Sequence, residues 1–92
     1  MEKRCLKAVV HGVVQGVFFR YNTRRAAQSL GVSGWVKNMP DGTVALEAYG
    51  EETALETLAE WLHHGPAHAR VSRVDIAWSD DSPRFSGFEI VH

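Results

Sequence analysis

Apolar and polar residues alternate near the start of the chain, and the pattern over residues 6–11 predicts a β-strand with one buried face. Further along, residues 23–30 carry apolar positions at helical spacing, and Gly31 is suited to the left-handed conformation that ends a helix. We predict that this helix begins near Phe19 or Arg20. The strand positions expected to point into the core are Leu6, Ala8 and Val10.

Two further strands, residues 34–38 and 43–49, flank the turn sequence Pro40-Asp41-Gly42. Proline presets φ at the first turn position, aspartate tolerates the second, and glycine adopts the positive φ that restores strand pairing. The segment therefore predicts a β-hairpin. The residues that share one face of its second strand are Val44, Leu46 and Ala48.

The second half of the chain predicts one more helix and two more strands. Residues 51–64 have an apolar stripe at helical spacing, and Gly65-Pro66 ends the helix. Residues 73–78 alternate as a strand, and residues 85–91 form a last short strand. The stripe consists of Leu55, Leu58, Ala59 and Leu62.

The resulting order, β-α-β-β-α-β with a short final strand, is typical of an α+β ferredoxin-like fold. This fold is a two-layer sandwich with a mostly antiparallel sheet and both helices on one face. Right-handed crossovers would place the first and third strands side by side at the centre, with the first strand of the hairpin outside them. Because 92 residues leave little room for a second core, we expect one domain over residues 1–92.

A glycine-containing loop, residues 12–20, joins the first strand to the first helix. Gly12 and Gly16 allow backbone N–H groups to turn inward, and the helix start and Arg20 would add positive charge for an anion. The plainer alternative is a common connecting loop followed by a solvated arginine. The loop matches neither the Walker pattern nor the dinucleotide fingerprint.

Charge and cysteine content indicate which partners and which cellular compartment to expect. The net charge is −1, which argues against a general nucleic-acid binder, although seven of the ten Lys and Arg residues lie within residues 1–40. The single cysteine, Cys5, favours a reducing compartment, and no apolar run is long enough for a membrane helix. We therefore expect a cytoplasmic protein that binds neither membranes nor nucleic acid.

Two sequence blocks resemble the signatures of the acylphosphatases. The first is Gly12-x-Val14-Gln15-Gly16-Val17-x-Phe19-Arg20, and the second is Leu30-Gly31-Val32-x-Gly34-Trp35-Val36-x-Asn38-x-x-Asp41-Gly42-Thr43-Val44. Their order, their separation and the length of the chain all fit this family of small ferredoxin-like domains.

The resemblance implies hydrolysis of acyl phosphates to a carboxylate and inorganic phosphate, without a metal ion or another cofactor. It also implies that Arg20 holds the phosphate and that Asn38 positions the attacking water. A monomer acting on a small molecule is expected. The residues implied in phosphate binding are Gln15, Gly16, Val17, Phe18, Phe19 and Arg20, and family sequences vary at Phe18 and Met39.

The chemistry is consistent with these residue types. A carboxylate leaves readily without protonation, so the reaction mainly requires a held phosphoryl group and an aligned water. The carboxamide of Asn38 can aim a water but does not take up its proton near neutral pH.

Other functions and sites are less favoured by the sequence. An RNA-recognition motif has the same element order, but it requires aromatic residues on its central strands, and a small-molecule sensor is a further non-enzymatic alternative. His63 and His64 point in different directions and do not suggest a metal pair. His11 is expected to be a bystander near the loop or a tuning charge, and Cys5 a structural thiol. His68 and His92 have no predicted partner.

Overall fold

The computed structural model describes residues 2–92, which form five strands and two helices. The elements are β1 (Lys3–Val13), α1 (Phe19–Ser29), β2 (Ser33–Asn38), β3 (Val44–Glu51), α2 (Glu52–His64), β4 (Arg70–Ser79) and β5 (Phe88–Val91). Their order and the start of α1 at Phe19 confirm the predictions from the sequence.

The five strands form one sheet in the order β4-β1-β3-β2-β5. Every neighbouring pair is antiparallel except β2 and β5, which run parallel. The predicted pairing of β1 with β3 is confirmed, and β2 lies outside them as expected. However, β2 is not an edge strand, because β5 pairs with its outer side.

The core lies between the sheet and the two helices. Leu6, Ala8 and Val10 of β1 are buried as predicted, and α1 contributes Phe19 and Ala27. The α2 side chains buried against them are Leu55, Leu58, Ala59 and Leu62, which is the predicted stripe. The ring centroid of Phe19 lies 5.5 Å from that of Trp61, so an aromatic pair fixes the start of α1 against α2.

The prediction that a loop begins at Gly12 was wrong. β1 continues to Val13, and Gly12 pairs with Val71 of β4 next to a bulge at Ser72 of β4. Its φ is 127°, and a Cβ there would overlap the carbonyl oxygen of Arg70. Glycine is therefore required at this position for close approach of β1 and β4, and only Gly16 lies in the loop itself.

The predicted hairpin turn is confirmed. The Gly42 N–H donates to the carbonyl oxygen of Met39 at 3.1 Å, and Gly42 has a φ of 92°. Asp41 Oδ1 accepts hydrogen bonds from the N–H and the hydroxyl of Thr43, at 3.0 and 2.6 Å. These bonds lower the pKa of Asp41, the hydroxyl contributing most. The turn thereby fixes the end of β2.

Other predicted bounds were also wrong. β1 begins at Lys3 rather than at residue 6. β4 begins at Arg70 rather than at residue 73, because β1 extends past the bulge in β4 and pairs with Arg70 and Val71. β5 begins at Phe88 rather than at residue 85, because Gly87 has a positive φ and only residues 88–91 pair with β2. Within residues 2–92, neither helix has the length and apolar character needed to cross a membrane.

Candidate active site

A cavity of about 290 Å³ opens at the start of α1, and we call it the α1 cavity. It lies where the loop after β1, the end of β2 and the end of the chain beyond β5 meet. Its lining residues are Val14, Gly16, Phe18, Phe19, Arg20, Tyr21, Asn38, Ile90 and His92. The cavity therefore brings together residues from two separately predicted parts of the chain, the loop before α1 and Asn38 of the hairpin.

The first turn of α1 presents unpaired backbone donors near the α1 cavity. Its N-cap residue, Phe18, makes no side-chain capping bond, and the first turn contains no acidic residue. The first N–H groups of any helix lack partners within the helix, and the helix dipole places positive charge there. This end of α1 is therefore suited to bind an anion.

Arg20 supplies the cationic side chain of the α1 cavity. It lies in the first turn of α1, and its Nη1 is 3.3 Å from Nδ1 of His92. None of the residues that line the cavity is acidic. The guanidinium thus has no side-chain carboxylate of the cavity to neutralise it, which leaves its donors available to an anionic ligand.

Asn38 provides a buried acceptor in the α1 cavity. It is the last residue of β2, and its Oδ1 is shielded from solvent yet accepts no hydrogen bond from the described residues. A buried polar atom without a partner is costly, and such atoms occur where a ligand or a water completes the hydrogen bonding. The Asn38 carboxamide therefore has an acceptor that the described residues leave unused.

Gln15 connects the loop to the hairpin. Its Nε2 donates to the carbonyl oxygens of Met39 and Thr43, at 2.8 and 2.9 Å. Because Met39 follows Asn38 directly, this half-buried side chain ties the loop before Arg20 to the strand end that carries Asn38. No local residue pattern indicates this role of the Gln15 side chain.

Of the residues implied in phosphate binding, Gly16, Phe18, Phe19 and Arg20 line the α1 cavity. Gln15 and Val17 do not line it. Four further lining residues were not predicted to belong to the site: Val14, Tyr21, Ile90 and His92. His92 was wrongly left without a partner, since the parallel pairing of β5 with β2 that carries it to Arg20 cannot be read from residue patterns.

The remaining candidates lie outside the α1 cavity. The Nε2 of His11 is 2.9 Å from Oδ2 of Asp75, and this hydrogen bond is the main cause of the lowered pKa of Asp75. Cys5 is fully buried, and burial together with the nearby Glu47 carboxylate raises the pKa of its thiol. Among residues 2–92, no three His, Cys, Asp or Glu side chains are grouped to hold a metal ion.

The fold and the α1 cavity together define a small ferredoxin-like domain whose first helix begins at a cavity with a cationic side chain. A family model described as acylphosphatase matches residues 6–90. Acylphosphatases from Salinibacter ruber and Acaryochloris marina are 53% and 52% identical, over 97% and 95% of this chain and 93% and 92% of their own. The acylphosphatase structure from Coxiella burnetii superposes with a TM-score of 0.93 at 40% identity, covering 98% of this chain and 94% of that one.

The chain belongs to the acylphosphatase family, as the two sequence signatures implied. It is accordingly a hydrolase that acts on acyl phosphates.

Proposed function

We propose that this chain hydrolyses the carboxyl–phosphate bond of acyl phosphates without a metal ion, using Arg20 and Asn38. The observation that carries the proposal is that Arg20 and Asn38 both line the α1 cavity, and that the Oδ1 of Asn38 has no hydrogen-bond partner among the described residues. A cationic anion clamp and an unsatisfied acceptor are the two elements that in-line attack of water on phosphorus requires.

The phosphoryl group is held by Arg20 and by backbone N–H groups of the loop and of the first turn of α1. The planar guanidinium can donate to two phosphate oxygens at once. Gln15, Gly16, Val17, Phe18 and Phe19 form the loop proposed to supply the backbone donors. Negative charge that develops on the equatorial oxygens is thereby stabilised by groups already in place.

The water is oriented by a hydrogen bond to Oδ1 of Asn38. Its oxygen bonds to phosphorus while the bond from phosphorus to the acyl oxygen breaks, and the carboxylate leaves with the electron pair. A carboxamide does not accept the proton of the water. The proton goes instead to a phosphate oxygen, so the products are the carboxylate and protonated inorganic phosphate. No general acid is needed, because the leaving group is a weak base.

The open face of the sheet supports the enzyme over the RNA-binding alternative. On the two central strands this face carries Cys5, Lys7, Val9, His11, Ala45, Glu47 and Tyr49. Tyr49 is its one aromatic residue, whereas RNA-recognition modules stack bases on several aromatics of these strands. The nearby Trp35 of β2 donates its Nε1–H to the Glu47 carboxylate at 3.3 Å. We also propose that residues 1–92 act as a single monomeric domain in the cytoplasm.

The proposed function is tested by hydrolysis of benzoyl phosphate in the presence of a chelator. We expect full turnover with the chelator, and no measurable turnover of a phosphate monoester, whose alkoxide leaving group requires a general acid. Loss of activity on chelation would contradict the metal-free reaction. Comparable rates with the monoester would show that an acid acts in the site.

A further inference from the structure

Two aromatic side chains at the start of α1 lie largely in solvent. The exposed fraction of Phe18 is 76%, and that of Tyr21 is 46%. Both residues line the α1 cavity, so both rings contribute apolar surface beside it. Neither ring belongs to the buried core.

Phe18 is also held in an unfavourable backbone conformation. Its φ and ψ are 61° and 26°, and within residues 2–92 it is the only residue other than glycine with a positive φ. The backbone N–H and the Nδ2 of Asn22 both donate to its carbonyl oxygen, each at 3.0 Å. Backbone strain retained at an exposed aromatic residue is a feature of ligand-binding sites.

A second cavity of about 500 Å³, which we call the side groove, adjoins the α1 cavity. Phe18 and Tyr21 line both cavities, so the two spaces share one aromatic boundary. Beyond the rings, the side groove is lined by Val17, Asn22, Pro66, Ala67 and His68. Asn22 and His68 are the polar residues of this lining, and the other residues offer mainly carbon surface to a ligand.

The direction of the side groove fits the geometry of in-line attack. In such a displacement, the leaving oxygen lies opposite the attacking water. Asn38, the proposed water ligand, is on β2 at one side of the α1 cavity, together with Ile90 of β5. Residues 66–68 precede β4, which forms the opposite edge of the sheet. The acyl group would therefore depart toward the side groove.

The ring of Tyr21 is held in place by neighbouring cations. The guanidinium carbons of Arg24 and Arg25 lie 5.7 and 5.9 Å from its centroid. Such cation–π contacts restrict the ring. The two arginines also add positive potential beside a site for an anionic substrate.

We propose that the side groove binds the acyl part of the substrate, and that it favours aromatic and other apolar acyl phosphates over small ones such as acetyl phosphate. This inference rests on the proposed function. Phe18 and Tyr21 would contact the acyl group while Arg20 holds the phosphoryl group, so the two rings are specificity residues. Aromatic rings gain affinity from stacking and from removal of apolar surface from water.

The test compares benzoylphosphonate with acetylphosphonate, which keep an acyl group and a phosphoryl group but lack the bridging oxygen whose bond to phosphorus is broken in the reaction. Binding is measured by calorimetry on the wild-type protein, on Phe18→Asn and on Tyr21→Ala. Asparagine tolerates the left-handed conformation of Phe18, so the backbone is retained. The control is Val13→Ala, which removes an exposed apolar side chain outside both cavities.

We expect the wild-type protein to bind benzoylphosphonate more tightly, and each aromatic variant to lose about tenfold of that preference. Val13→Ala should keep the preference unchanged. Equal affinity for the two phosphonates in all four proteins would overturn the acyl site and leave the proposed function intact. Failure of the wild-type protein to hydrolyse benzoyl phosphate would instead overturn the proposed function, whichever phosphonate binds better.

Discussion

Arg20 and His92, 72 residues apart in sequence, meet in the α1 cavity with Nη1 and Nδ1 separated by 3.3 Å. A guanidinium can only donate, so the Nδ1 of His92 is the acceptor in this hydrogen bond. This contact restrains the side chain that is proposed to hold the phosphate.

Replacement of His92 should therefore weaken anion binding more than catalysis. In His92→Leu, we expect inorganic phosphate to inhibit about twofold to tenfold less strongly, with kcat close to that of the wild-type protein, because Arg20 loses one restraining hydrogen bond. The matched control is His64→Leu, since His64 is exposed at the end of α2. A fall in kcat of a hundredfold would show that His92 takes part in proton transfer.

Replacement of Asn38 should separate binding from turnover. In Asn38→Ala, we expect inhibition by inorganic phosphate to persist while kcat for benzoyl phosphate falls by about 100-fold or more, because the water loses its acceptor. Steady-state kinetics with phosphate as inhibitor measures both quantities. Equal losses of phosphate binding and turnover would mean that Asn38 holds the phosphate rather than the water.

Replacement of Arg20 should weaken phosphate binding and turnover together. Lysine keeps the charge but loses the planar pair of donors, so Arg20→Lys should weaken phosphate inhibition and lower kcat/KM, each by about tenfold or more. Arg84→Lys, at an exposed residue outside the α1 cavity, is the control. Near-normal kinetics in Arg20→Lys would remove the guanidinium clamp from the mechanism.

Replacement of Gln15 tests whether its side chain positions the site. In Gln15→Leu, two hydrogen bonds between the loop and the hairpin are lost, and we expect kcat to fall several-fold with a loss of about 1–2 kcal/mol in the free energy of unfolding. The conservative variant Gln15→Asn, one methylene shorter, should not restore kcat. Gln28→Leu is the control, because Gln28 is exposed on α1. If kcat remained unchanged while stability fell, the role of Gln15 would be structural alone.

The lowered pKa of Asp41 makes the hairpin turn sensitive to acid. A carboxyl whose pKa is lower in the folded than in the unfolded protein stabilises the fold above its unfolded value, ordinarily 3.8, and loses this contribution as the pH falls through the folded value. Asp41→Asn should therefore be less stable than the wild-type protein at pH 7, and the difference should disappear near pH 2. Urea denaturation at the two pH values measures it, and an equal difference at both would contradict the charge effect.

Much of the fold followed from local patterns. The alternation in β1, the stripe in α2 and the turn at Asp41-Gly42 depend on residues close in sequence, and all three were predicted correctly. The lengths of β1 and β4 were not predicted correctly. The pairs at the end of β1 and the start of β4 depend on the close fit of Gly12 against the backbone of Arg70. In the sequence, the only sign of such close approach between two strands is a glycine. Glycine also occurs in turns, bulges and helix ends, so it does not identify the contact.

The candidate site was predictable where its residues lie within the two signatures. Arg20 and Asn38 were identified together and do line one cavity. By contrast, Tyr21 lies in the cavity because of how the start of α1 is placed, and His92 because β5 pairs in parallel with β2. Both arrangements depend on tertiary structure. The strained conformation of Phe18 was equally hidden, because phenylalanine gives no local signal for a positive φ.

β5 has only four residues and a single neighbouring strand, yet Ile90 and His92 form one wall of the α1 cavity. Detachment of a short edge strand requires far less free energy than global unfolding. Amide protons of β5 should consequently exchange with deuterated solvent sooner than those of β1, and a bound anion should slow them. Product release could then proceed by transient fraying of this edge, without any movement of the helices.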